Sequence, residues 1–504
     1  MHKYLQPVRV LQGLFGGLGL LFLLALLNLV LHLFLNGQYG YFRDELAYVD
    51  DAKRLDWGYV DHPPLTALIG SFARLLFGDS LLGLRFFPAL ASAALVFLTG
   101  LMVRELGGGR FAQVGAALCI VASPAYQVFG LLFQALPFEQ FLWVLCCYLL
   151  IRLLKTDNPK LWPWIGLTIG LSAMNKYSVF FFVVGLVLAL LLTPARKYFK
   201  SPWLWLGAGL GIVIFLPNLI WQIQHNFVSL DYNRSINARD VAIGRTDGFL
   251  LEQFSMLTNP LSVPVWLAGL YYFLFKEKSY RLFGLIYLVV LALFIVLHGR
   301  FYYLAPAYPV LMAGGAYIWE KWLVNRRIVK FAWLGLVALT GLLFVPLTLP
   351  LLPAGSAEWK TISQGNDAFR EMIGWQELVA SIAAIYSKLP AQEQANTALL
   401  ANNYGEAGAI NFYGSTYGLP QAISPVNSYY YWSQGRLKAD TYIVLGYSPA
   451  RLQELQSRFN SVEQVATVSN RYAIENEETN YAIYLCRRPK TPLTELWPSM
   501  QRYS

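Results

Sequence analysis

Residues 41–64, YFRDELAYVDDAKRLDWGYVDHPP, directly follow about 25 nearly uncharged residues. Ten of these 24 side chains are charged or are histidine. Carboxylates and imidazoles are the groups that exchange protons with a bound molecule. This stretch holds six of the chain's 29 acidic residues. A solvated loop would also be rich in charge, but its details argue for more. Asp44-Glu45 comes straight after an apolar run, where acids do not help to anchor a helix. Asp61-His62-Pro63-Pro64 fixes a histidine just before a rigid helix start.

The elements that must hold these groups follow from composition. The chain has 504 residues, 56% hydrophobic and 13% charged, against about 25% charged in average soluble proteins. Residues 11–35, LQGLFGGLGLLFLLALLNLVLHLFL, exceed the roughly 20 apolar residues that a helical span needs. They are too long for a signal-peptide core and read as a retained span. About eleven spans are expected, near 11–35, 83–103, 112–130, 136–154, 162–175, 178–193, 203–221, 261–275, 282–297, 303–319 and 331–350.

With the N-terminus placed inside, the inner segments carry Lys3/Arg9, Arg104/Arg110, Arg152/Lys155/Lys160, Arg196/Lys197/Lys200, Lys276/Lys278/Arg281 and Lys321/Arg326/Arg327/Lys330. The short outer connections carry only Lys176 and Arg300. Cytoplasmic loops attract Lys and Arg, so loops 36–82 and 222–260 and the C-terminal tail are expected outside the cytoplasm. The basic excess does not point to nucleic acid. Residues 1–354 hold 27 Lys+Arg against 16 Asp+Glu, whereas residues 355–504 hold 12 against 13. The excess therefore belongs to the membrane half. Three of the four cysteines sit in apolar runs, and none has metal-site spacing.

Residues 1–354 form the expected membrane domain, and residues 355–504 a soluble domain. Within the latter, 367–389 has helical periodicity, TALLANNYG, TYIVLGY and YAIYLCRRP read as strand-type runs, and PARLQELQSRF as a helix. The alternation suggests a small α/β domain. Loop 36–82 should form two short helices on the outer membrane surface. One runs near 44–55, with Asp44 at its start. The other begins after Pro63-Pro64 and lines up Leu65, Leu68, Ile69, Phe72, Leu75 and Leu76 as an interfacial face.

Asp44-Glu45, LDWGY (55–59) and Asp61-His62-Pro63-Pro64 together resemble the first outer loop of bacterial glycosyltransferase family 39, the protein O-mannosyltransferase-like and aminoarabinose-transferase-like enzymes. FEQFLW (138–143), SAMNKYS (172–178), GRFYYLAPAYP (299–309) and NNYGEAGAINFYG (402–414) resemble further family stretches, in order. The similarity covers nearly the whole chain. It implies a GT-C fold: an α-helical polytopic membrane protein with a small extracytoplasmic α/β domain. It also implies sugar transfer from a polyprenyl-phosphate-linked donor with inversion, with Asp44 as general base.

That chemistry needs a base for the acceptor proton, positive charge on the leaving phosphate and apolar walls for the lipid tail. Glu45 would orient Asp44 or bind sugar hydroxyls. Lys176 and Arg300 would meet the phosphate, since charge at membrane depth is expensive and usually functional; snorkelling is the plainer alternative. His62 would hydrogen-bond phosphate or serve structure. Glu139, a lone acid at a span start, would bind sugar or acceptor, or simply favour the helix dipole. Tyr302 and Tyr303 offer hydroxyls and rings. Asn403 and Tyr404 are the acceptor-side candidates, with Gly405 permitting a tight turn.

No metal and no other cofactor is expected. The implied partners are a polyprenyl-phosphate-linked sugar, a lipid, glycan or protein acceptor, and membrane lipids, with no nucleic acid. The implied location is a bacterial inner membrane. A polyprenyl-phosphate-sugar flippase is the alternative, although no transporter-type repeat is visible in the sequence.

Overall fold

The computed structural model describes residues 16–447, 451–473 and 482–504; Lys3, Arg9 and the start of the first expected span lie outside them. All eleven expected apolar segments are helical where described. Six helices are long and apolar enough to cross a membrane: Gly17–Leu35, Leu81–Glu105, Ala135–Thr156, Pro202–Gln224, Lys278–Val296 and Arg327–Thr348. Two bent pairs, Arg110–Val121 with Pro124–Leu131 and Val179–Leu191 with Pro194–Lys200, raise this to as many as eight. The other three segments, around Trp162–Ala173, Val263–Tyr271 and Tyr308–Trp322, have shorter regular helices. They pack backbone to backbone. A Cβ on Gly269 would lie 1.8 Å from the Leu311 carbonyl oxygen, and one on Gly166 would lie 1.9 Å from that of Gly207. Small residues let apolar helices approach in this way.

Four further helices build one end of the bundle: α1 (Arg43–Lys53), α2 (Leu65–Phe77), α3 (Val228–Ala242) and α4 (Tyr404–Tyr413). The two helices expected in loop 36–82 are therefore present. In α2, Thr66, Ala67, Gly70 and Ala73 face the protein. Leu68, Phe72, Leu75 and Leu76 face outward, the arrangement that suits a helix lying at a lipid–water boundary.

Residues 355–504 carry a four-stranded sheet of order β1-β2-β4-β3: β1 (Thr397–Leu400), β2 (Thr441–Val444), β3 (Phe459–Thr467) and β4 (Ala482–Pro489). β1 and β2 are parallel, and the other pairings are antiparallel. The three strand-type runs contribute β1, β2 and β4. β3 is the unforeseen one: it is an edge strand whose side chains are mostly half-exposed or exposed, so it lacks an apolar signature.

The sheet's helices dock on the bundle. α4 crosses α1 so closely that a Cβ on Gly408 would stand 2.9 Å from the Leu46 carbonyl carbon. Gly405 is not the turn glycine expected from the sequence. It sits inside α4, and a Cβ there would meet Arg43 Cγ at 2.4 Å, so close approach is what it provides.

One buried ion pair holds this end in place. Glu45 and Arg85 are both fully buried. Arg85 donates from Nε to Glu45 Oε1 at 2.8 Å and from Nη2 to Oε2 at 2.6 Å. It also donates to the carbonyls of Asn36 at 2.7 Å and Gly40 at 2.9 Å. Glu45 accepts the Phe42 and Phe133 amides, each at 2.8 Å. Removing one partner of such a pair strands a buried charge and costs about 3–5 kcal/mol. Arg85→Met should therefore lower the apparent melting temperature of the detergent-solubilised protein sharply. The double variant Glu45→Gln/Arg85→Met should recover much of that loss, and purely additive losses would refute the pairing.

Candidate functional site

A cavity of about 630 Å³ opens between α1, α3 and the membrane helices. Its lining includes Asp44, Asp51, Asp61, Lys176, Ser178, Tyr302, Tyr303 and Tyr404, set among Phe180, Phe181, Phe215, Leu219, Leu230 and Phe294. Acidic and basic groups thus share one chamber with a long apolar wall.

Helical spacing explains the acidic side. Asp44, Tyr48 and Asp51 lie at i, i+4 and i+7 on α1, so one face presents all three. Asp44 is in the first turn, and its Oδ1 accepts the Tyr404 hydroxyl at 2.7 Å. Arg43 Nε lies 3.6 Å from the same oxygen. Both contacts fall on Oδ1.

The basic side is built by a sharp turn between two membrane helices. The Leu65 amide donates to the Met174 carbonyl at 2.8 Å. Asn175 receives the Thr66 hydroxyl at 3.0 Å and donates to the Ala135 carbonyl at 2.9 Å. Lys176 then points into the chamber, with Nζ donating to Glu139 Oε2 at 3.0 Å and lying 4.7 Å from the Tyr303 ring centre. The Ser178 hydroxyl donates to the other Glu139 oxygen.

Several expected ligand contacts fall elsewhere. Glu45 does not face the chamber, because every one of its bonds goes to Arg85 and to the Phe42 and Phe133 amides. Glu139 is buried behind Lys176 and is not in the lining; it holds the lysine in place. His62 is buried too, with Nε2 3.0 Å from Asp51 Oδ2 and Nδ1 2.7 Å from the Pro63 carbonyl. Arg300 is outside the lining as well. Its Nε donates to Asp240 Oδ2 at 2.6 Å and its Nη1 to the Tyr302 hydroxyl at 2.8 Å. Lys176 and Arg300 are therefore linked through the Tyr302–Tyr303 pair, whose ring centres are 5.0 Å apart, rather than side by side in the chamber. Asn403 caps α4. Its Oδ1 accepts the Glu406 amide at 2.9 Å while Glu406 accepts the Asn403 amide at 3.3 Å.

Asp51 and Asp61 were missed as site residues, though both lie in the opening stretch. The i, i+7 spacing from Asp44 was the signal for Asp51. Burial raises the Asp51 carboxyl to about 6, against the pull of His62. Burial also raises Asp61; His62 opposes this, and Asp44 adds to it. For His62, burial favours the neutral ring, but Asp61 and Asp51 outweigh it and hold the pKa up at about 9.

Comparison with known proteins bears on the fold. The family model described as dolichyl-phosphate-mannose-protein mannosyltransferase matches residues 61–221. The lipid A galacturonosyltransferase RgtD of Rhizobium johnstonii is 26% identical over 198 residues, 39% of this chain and 41% of that protein. This chain thus matches about two fifths of the length of that curated relative. The crystal structures of ArnT from Cupriavidus metallidurans superpose over 92% of this chain and 97% of theirs, at 14% identity. The TM-score is 0.57 for the form bound to undecaprenyl phosphate and 0.58 for the apo form. The fold is GT-C. The resemblance to family 39 read from the sequence is likewise borne out.

The His62 pKa, raised above its ordinary 6.5, gives a signed expectation. A group with a raised folded-state pKa stabilises fully below its unfolded pKa, and that contribution disappears as pH rises through the folded value. The stability advantage of the wild type over His62→Gln should therefore shrink as pH rises from about 6.5 through about 9. Melting temperatures of both proteins across that range test this; a constant difference would contradict it.

Proposed function

We propose that the chain is an inverting glycosyltransferase that moves a sugar from a polyprenyl-phosphate-linked donor to a hydroxyl acceptor. The observation that carries this reading is the shared chamber: a carboxylate on α1, an ammonium opposite and a continuous aromatic and aliphatic wall. The name of RgtD, the matched family model and the undecaprenyl phosphate bound to ArnT support the same chemistry.

In this reading, Asp44 takes the proton of the acceptor hydroxyl. The acceptor oxygen forms a bond to the anomeric carbon from one face as the bond to the phosphate oxygen breaks on the other. Polyprenyl phosphate leaves with the electron pair. Lys176 meets its charge, with the Tyr302 and Tyr303 hydroxyls beside it, in a setting drier than water where charge–charge attraction is stronger. Tyr404 keeps one Asp44 oxygen occupied and leaves the other for the acceptor. Arg300 stabilises the site at one remove by holding Tyr302. The aromatic wall takes the first isoprene units.

The membrane half, residues 1–354, houses the reaction, and residues 355–504 shape acceptor access. The Lys and Arg asymmetry of the loops supports a cytoplasmic N-terminus and a site on the far side of a bacterial inner membrane. Cation duty falls to Lys176, so the reading needs no metal.

Purified protein in detergent should convert a polyprenyl-phosphate sugar to polyprenyl phosphate when acceptor is present, and EDTA should leave the rate unchanged. Lys176→Gln should lower turnover by about 10²-fold. Intact donor in detergent, combined with donor translocation in sealed vesicles, would favour the flippase alternative and sink this reading.

A further inference from the structure

A second cavity, of about 290 Å³, lies beside the first and shares Tyr404 and Ser504 with it. Its lining contains four arginines, Arg43, Arg239, Arg451 and Arg502, with Asn402 and Asn403, and no Asp or Glu side chain. Three of the four have acids behind them. Arg43 pairs with Glu371 at 3.7 Å, Arg239 with Asp240 at 3.6 Å and Arg451 with Glu454 at 2.8 Å. Asp240 is also shared with Arg300. Arg502 differs. It is partly buried and donates to the Asn402 carbonyl at 2.6 Å and to the Asn402 side chain. No carboxylate pairs with it among the described residues. Burial lowers its pKa and the nearby Arg451 pushes the same way, while Tyr447, Glu406 and Glu454 act against them. Partly sequestering a guanidinium with no carboxylate in direct contact is costly.

We propose that this arginine pocket binds a phosphate monoester carried by the acceptor, and so sets the acceptor hydroxyl beside Asp44. The inference rests on the transferase reading above and adds the chemical class of the acceptor. Guanidinium forks suit an oxyanion with several acceptor oxygens. Location supplies the link to the reaction. Tyr404 lines both cavities and donates to Asp44. The Arg43 guanidinium lies 5.3 Å from the Tyr404 ring centre while Arg43 Nε faces Asp44. An anion held by the four arginines is thus one side chain away from the base, separate from the Lys176 side where the donor phosphate would lie.

A binding measurement tests this without requiring turnover, so failure of the transferase reading registers separately. N-acetylglucosamine 1-phosphate and unphosphorylated N-acetylglucosamine are titrated against the full chain in neutral detergent. Wild type should bind the phosphorylated sugar at least tenfold more tightly. Arg502→Gln and Arg239→Gln should each reduce that binding by about tenfold, the scale of one charge-assisted hydrogen bond. Lys176→Gln should reduce it less than Arg502→Gln does. Inorganic phosphate should compete, whereas phosphatidylglycerol, a phosphodiester, should not. Equal binding of the two sugars would overturn the proposal. So would loss of binding in Lys176→Gln with retention in Arg502→Gln, which would put the phosphate in the first chamber. Competition by phosphatidylglycerol would assign the pocket to bulk lipid head groups, and binding of inorganic phosphate alone would remove the acceptor from it. Both results would also overturn the proposal.

Discussion

The Glu45–Arg85 pair is the constraint on which the rest of this end of the protein depends. Taking two charges out of water is costly, and their attraction compensates only when the remaining donors and acceptors are satisfied. Here they are: the guanidinium also reaches two carbonyls, and the carboxylate also accepts two amides. Those bonds come from the end of the first span, the start of α1, the long helix Leu81–Glu105 and the segment before Ala135–Thr156. Four pieces of chain are thereby fixed against one another. Adjacent helical residues point about 100° apart, so burying Glu45 against Arg85 turns Asp44 towards the chamber. The Asp-Glu dipeptide thus divides its labour, with one acid holding the fold and the other facing the cavity.

The opposite wall repeats this logic. Glu139 is spent on Lys176, as Asp240 is on Arg300 and Asp51 on His62. Each buried acid immobilises a cation that would otherwise search for water. The residues beyond 355 belong to the same construction. Asp50 on α1 accepts from Asn411 at 2.6 Å and from Tyr429 at 2.9 Å, and the Val60 amide donates to Ser428 at 3.1 Å. The domain that holds the sheet is consequently what delivers Tyr404 to Asp44.

Much of this was legible in the sequence, and the exceptions share a cause. The helical segments followed from apolar run length, and α1 and α2 from the polar break and the Pro-Pro pair. Lys176, Tyr302 and Tyr303 were found because charged or hydroxylated groups near membrane depth stand out. Glu45, Glu139 and His62 stood out equally, yet they face inward. Composition reports that a carboxylate is present, and only packing decides whether its partner is a ligand or an arginine 40 positions away. Asp51 and Asp61 were hidden by the charge around them, and β3 by its polar edge. The arginine pocket draws on α1, α3 and three separate parts of the tail, a juxtaposition that no local pattern announces.

The central claim is that Asp44 acts as the base in sugar transfer. It is tested most directly by single-turnover transfer in Asp44→Asn, with donor affinity measured on the same preparation. Loss of a general base costs about 10² to 10⁴ in rate. The account predicts a loss of that size with donor affinity retained and Glu45–Arg85 undisturbed, the latter seen as an unchanged melting temperature. Transfer at close to the wild-type rate in Asp44→Asn would contradict it.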